Sequence, residues 1–142
     1  MLESRKRFFV SEVRRNEIVD YDLELISDTL KRWIFYRAIL MTSENATLVL
    51  DEPDVYAFPP YPKMLGEAIA TDKTNQYFIT THNPYFLAAL VEKTRANQLG
   101  VYVCHRDARG GTQVRMLKPA QVEQVIQLGA STFFNLRELI EA

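Results

Sequence analysis

Residues 46–54, ATLVLDEPD, constrain this chain more than any other stretch: an apolar run ends abruptly in two adjacent carboxylates. Thr47, Leu48, Val49 and Leu50 have the β-branched and aliphatic character of a strand buried on both faces, as in a parallel sheet. Pro53 stops that strand, so Asp51 and Glu52 sit at its carboxyl end. In open α/β sheets ligands bind in the crevice beyond the strand tips. Asp51 is placed there to hold a Mg²⁺ ion directly or through water, and Glu52 to orient or deprotonate a water aimed at a phosphate. A turn or helix-cap role accounts for an acidic strand tip equally well, and the pair alone leaves both readings open.

A second short strand, residues 76–80 (QYFIT), runs into Thr81-His82-Asn83-Pro84. Asn-Pro opens a helix, so a buried strand here delivers an imidazole to the same sheet edge as Asp51 and Glu52. Upstream, Ser27 or Asp28 can cap a helix reaching residue 42, with Leu30, Ile34, Ala38 and Met41 at helical spacing and Trp33, Phe35 and Tyr36 widening the apolar face. That width predicts a well-buried helix.

LVLDEPD followed by ITTHNPYFL resembles the Walker B motif and switch histidine of the ABC-type ATPases. The resemblance is to the branch holding the SMC-like and RecF-like DNA-maintenance ATPases and the AAA-type ATPases that accompany OLD-type nucleases. Residues 26–32, ISDTLKR, lie where that family has its signature motif, without the family's Gly. The resemblance spans residues 25–90. It implies the C-terminal half of a P-loop NTPase-like, nucleotide-binding hydrolase with a place in DNA repair or defence. Asp51 would serve Mg²⁺, Glu52 the attacking water, and His82 the γ-phosphate. Ser27, matching the signature Ser, would touch a nucleotide held by an opposite subunit. Its plain reading, an ordinary N-cap, stays open, although a helix N-terminus does attract phosphate. Phe58-Pro59 stands where the family often has His-Pro, so that His is absent.

A phosphate loop of the form GxxxxGK[ST] needs glycines so that backbone N–H groups cradle phosphate, and a Lys to reach it. The glycines at 66, 100, 110, 111 and 129 are never followed by Lys. The expectation is therefore a half-site, a fragment or one of two chains, whose ATP and Mg²⁺ binding alone is weak or absent. It would be completed by a Walker A-bearing partner or a missing N-terminal half. Other partners implied are a second copy of the chain, DNA or a nuclease. Two rival readings are a non-catalytic interaction module and, ranked last, a metal nuclease built on Asp51, Glu52 and Asp54.

The rest of the chain narrows the setting. A net charge of −1 with acids and bases interspersed gives no electrostatic case for nucleic acid or membrane. A single Cys104 cannot form an internal disulfide, and no metal-spaced partner accompanies it. Without a leader or membrane-length apolar run, the default location is cytoplasmic. Length predicts one domain, 1–142: an N-terminal hairpin (1–26), a core (27–98) and a C-terminal hairpin with helices (99–142). The first hairpin pairs residues 7–13 with 18–25, where Tyr21, Leu23 and Leu25 alternate with acids. Its basic residues Arg5, Lys6, Arg7, Arg14 and Arg15 read as a solvated edge rather than a phosphate contact. A second hairpin pairs residues 99–104 with 112–117 around Arg109-Gly110-Gly111; His105 beside it reads as surface. Helices are expected over 62–71, 84–91, 120–128 and 136–141. The fold expected is α/β: a mainly parallel sheet flanked by helices, with antiparallel hairpins near both ends.

Overall fold

A computed structural model describes residues 7–58, 60–129 and 131. Its elements run β1 (Phe9–Arg14), β2 (Glu17–Asp22), α1 (Asp28–Thr42), β3 (Thr47–Asp51), α2 (Pro60–Thr71), β4 (Gln76–Thr80), α3 (Pro84–Lys93), β5 (Tyr102–Arg106), β6 (Thr112–Met116) and α4 (Pro119–Leu128). Single 3₁₀ turns lie at Leu23–Leu25 and Ala96–Gln98. The helix expected over 136–141 lies outside the described residues.

The mainly parallel sheet is corrected by the structure. The described strands form three separate two-stranded sheets, and only β3 with β4 is parallel. Parallel pairing needs a long crossover, and α2 between β3 and β4 supplies one. The other two pairs, β1–β2 and β5–β6, are closed by short turns and are antiparallel. In the first, Arg15 and Asn16 both have positive φ, 45° and 70°, the two-residue turn whose twist suits a hairpin. In the second, the Asp107 carboxylate accepts the N–H groups of Arg109 and Gly111 at 2.9 and 2.8 Å. The first hairpin ends at Asp22 rather than Leu25. Asp22 accepts the Glu24 N–H at 3.0 Å, caps a 3₁₀ turn and leaves Leu25 exposed.

Burial also differs from expectation at β3. Leu50 is buried and Leu48 half-buried against the helices, but Val49 is 76% exposed, beside its register partner Phe78, 56% exposed. One face of the parallel pair is covered and the other is not.

The core lies on the covered face. Leu50, Leu65, Ile69, Phe86 and Leu90 form its buried centre, with Trp33, Tyr36, Leu40, Tyr77 and Ile79 packed against it. Helix α1 thus presents Trp33, Tyr36 and Leu40, at i, i+3 and i+7. Met41, expected inward, is exposed, and no α1 residue is fully buried. The α2–α3 packing is close because of Gly66, where a Cβ would lie 2.9 Å from the Cβ of Ala89. A second cluster, Val103, Leu117 and Val125, joins β5 to α4, and Leu87 of α3 packs against it.

A polar knot fixes the start of both parallel strands. The Asp72 carboxylate accepts from the Tyr77 hydroxyl, from Asn75 Nδ2 at 2.7 Å, and from the Thr74 N–H and hydroxyl at 2.8 Å each. Asn75 also donates to the Ser43 carbonyl and accepts the Ala46 N–H, both at 2.9 Å. Burial pushes the Asp72 carboxyl up, but these donors outweigh it and hold it well below the ordinary Asp value. Burial and the Asp72 charge together push the Tyr77 phenol up.

A candidate acid and histidine site at the parallel strand tips

The register pairs Asp51 with Thr80, so β3 and β4 end level. The Thr80 hydroxyl donates to Asp51 Oδ1 and accepts the Glu52 N–H at 3.0 Å. That same N–H donates to the Thr80 carbonyl at 3.1 Å, continuing the ladder one step past the strand. There the chain turns sharply. Glu52 has φ +43°, a left-handed conformation that costs an L residue about 1–2 kcal/mol. The turn is held by the Val55 N–H on the Glu52 carbonyl at 3.2 Å and by buried Pro53.

After β4, Thr81 leads to His82, and the Asn83 side chain caps α3 by accepting the N–H groups of Tyr85 and Phe86. These two turns bring His82 Nδ1 to 2.9 Å from Glu52 Oε1. A carboxylate accepts only, so Nδ1 donates and Nε2 is left to face outward chemistry. Both side chains are open to solvent, His82 at 67% and Glu52 at 46%. The site is an exposed ridge, not a pocket. A groove of about 560 Å³ lined by Trp33, Arg37, Met64, Glu67 and Lys93 includes none of the site residues.

Ser27 is the N-cap of α1, and its hydroxyl accepts the Leu30 N–H at 3.3 Å. It makes no hydrogen bond to Asp51, Glu52 or His82. Helix α1 does meet the turn after β3, though. The Thr29 hydroxyl donates to the Tyr56 carbonyl at 2.9 Å, and the Arg32 guanidinium lies 5.7 Å from the Tyr56 ring centre. Hydrogen bonds therefore join Glu52 to His82 and, through the Thr80 hydroxyl, to Asp51, while the Ser27 hydroxyl is engaged in capping α1.

Asp54, a candidate metal ligand in the nuclease reading, has a different role here. Asp54 is only 4% exposed and accepts from the Thr81 hydroxyl at 3.0 Å. The only hint of it in the sequence is a hydroxyl residue directly before His82. Among the described residues no group of three His, Cys, Asp or Glu could hold a metal by themselves. That disfavours a nuclease built on Asp51, Glu52 and Asp54. His105, expected at the surface, is half-buried with its Nδ1 enclosed and unpartnered. Among the described residues no helix is long and apolar enough to cross a membrane.

No protein-family model and no curated protein matches the sequence. The fold does match a solved structure, from work on the structural biochemistry of ATP-driven dimerization and DNA-stimulated activation of SMC ATPases. The match covers 77% of this chain and 65% of that one, with a TM-score of 0.57 and 12% sequence identity. The chain thus spans less than two thirds of its structural neighbour, and over that span it has an SMC ATPase-like α/β fold.

Proposed function

We propose that this chain is the acid and histidine half of an ABC-type ATPase site of the SMC and RecF-like class. A Walker A-bearing chain or segment would complete it. The observation that carries the reading is the 2.9 Å contact between Glu52 and His82 at level, parallel strand tips. The SMC ATPase-like fold supports it.

In this reading Asp51 and the Thr80 hydroxyl bound to it would hold Mg²⁺, which would neutralise charge on a bound triphosphate. Glu52 keeps one carboxylate oxygen on His82 and offers the other to a water, which it orients and relieves of a proton. His82 contacts the γ-phosphate through Nε2. Phosphate oxygens are acceptors, so meeting one while Nδ1 stays on Glu52 uses the doubly protonated ring. Ser27, at the head of α1, acts on a nucleotide held by an opposite subunit, and the Thr29 to Tyr56 bond links that helix to the turn carrying Glu52. Residues 1–142 then form one domain with residues 27–98 at its core. A second copy is the first partner to expect. DNA and a nuclease remain partners implied by the class, and no residue of this chain argues for either.

Calorimetric titration of the chain with ATP and Mg²⁺ tests the half-site. Weak or no binding is expected, because the sequence holds no GxxxxGK[ST] phosphate loop. Tight, Mg²⁺-dependent binding would overturn the reading. In an assembly that hydrolyses ATP, Glu52→Gln should preserve association and lower turnover at least a hundredfold. Unchanged turnover would remove Glu52 from its role. The competing reading, a non-catalytic interaction module, is favoured by the uncovered Val49 and Phe78 face. It predicts equally weak or absent nucleotide binding but an assembly indifferent to Glu52→Gln.

A further inference from the structure

Glu52 and His82 are both largely exposed, and an exposed pair of this kind is worth only about 0–1 kcal/mol. Their 2.9 Å contact cannot hold two loops in register, so something else must. Below them lies a second bridge between the same two loops. The Thr81 hydroxyl donates to Asp54 Oδ1 at 3.0 Å and accepts the Asn83 N–H at 3.0 Å. A hydroxyl has one proton, and here it is committed to Asp54. Asp54 is 4% exposed, and a buried carboxylate is tolerated only where donors meet it. Its own carbonyl accepts the Ala57 N–H at 3.3 Å, fixing the turn that follows Glu52.

We infer that Asp54 and Thr81 are positioning residues: their bridge, buried at its Asp54 end, clamps the two strand-tip loops and so orients His82 against Glu52. On the other side of the pair, the Glu52 N–H is tied to the Thr80 carbonyl and hydroxyl. The pair is thereby braced from both directions. That it then acts on a nucleotide rests on the ATPase reading above; its orientation does not.

The test is the proton position on the His82 ring, read by long-range ¹H–¹⁵N NMR of the full chain. The solution is alkaline, above the ordinary histidine titration range. The chain has two histidines, so the spectrum of His82→Gln assigns the signals. Imidazole free in water favours the proton on Nε2, whereas donation to Glu52 keeps it on Nδ1. Wild type should be mostly the Nδ1–H form, Thr81→Val mostly Nε2–H, and Thr81→Ser should restore Nδ1–H. If Thr81→Val does not fold, Thr81→Ala removes the same hydroxyl without setting a methyl group against the carboxylate. A wild-type ring protonated on Nε2, or a folded hydroxyl-less variant that keeps the wild-type form, overturns the inference. A residue needed only for stability would lower the unfolding temperature and leave the ring unchanged. Failure of the ATPase reading would show in the Glu52→Gln turnover and leave these spectra as they are.

Discussion

Asp72 shows how much one half-buried carboxylate can organise. Its four donors come from the α2–β4 turn and from β4, and through Asn75 the knot reaches the end of α1 and the start of β3. Because the folded carboxyl titrates below the unfolded one, its contribution to stability is complete above the ordinary Asp value of about 3.9. That contribution is lost as pH falls below this value toward the folded one. Asp72→Asn should therefore lower stability near neutral pH and flatten its dependence on pH below about 4. Denaturant unfolding at a series of acid pH values measures this; parallel curves for the two proteins would show that the knot is not linked to protons. At this scale the sequence was informative where chemistry is written in consecutive residues. Asp51, Glu52 and His82 follow apolar strands, and that position marks them as candidates. Asp54, Thr81, Asp72 and Tyr77 depend on loops meeting in space, and no spacing along the chain marks those meetings.

At the scale of elements, Gly66 sets the approach of α2 to α3. An added methyl group would meet the Ala89 Cβ at 2.9 Å and the Phe86 carbonyl at 3.1 Å, and the second of these is backbone that cannot swing aside. Alanine improves helix propensity by about 1 kcal/mol, but overpacking costs about 1–3 kcal/mol. The clash sits against Phe86, which is fully buried, so overpacking wins. Gly66→Ala should lower the denaturant midpoint by an amount equivalent to up to about 2 kcal/mol, and Ala89→Gly in the same chain should recover part of it. A variant at least as stable as wild type would mean that the helices part freely. Helix ends and hairpins were legible because Ser27, Asn83, Pro84, Pro119 and the Arg15-Asn16 turn are local signals. Which face of α1 packs was not. Leu30, Ile34, Ala38 and Met41 form one apolar stripe and Trp33, Tyr36 and Leu40 another, and the position of α2 decides between them.

Across the whole molecule, the apolar run at β3 promised a strand covered on both sides, and the described chain covers one. Composition cannot tell a strand whose second layer lies in the same chain from one whose layer comes from elsewhere. Val49 and Phe78 stand side by side on the open face, and in the described sheet β3 and β4 pair only with each other, leaving both outer edges without a strand. Burying such a pair is worth on the order of 3 kcal/mol, and open strand edges invite further pairing. The chain should therefore sediment as a dimer or larger species at micromolar concentration. Val49→Lys combined with Phe78→Lys should shift it to monomer while leaving the Leu50, Leu65 and Phe86 core, and hence the unfolding transition, in place. A wild-type monomer would show that this face tolerates water and that any further layer must bring its own affinity. A lysine double variant that stays associated would move the interface elsewhere, to the exposed apolar face of β5–β6 at Tyr102, Val114 and Met116.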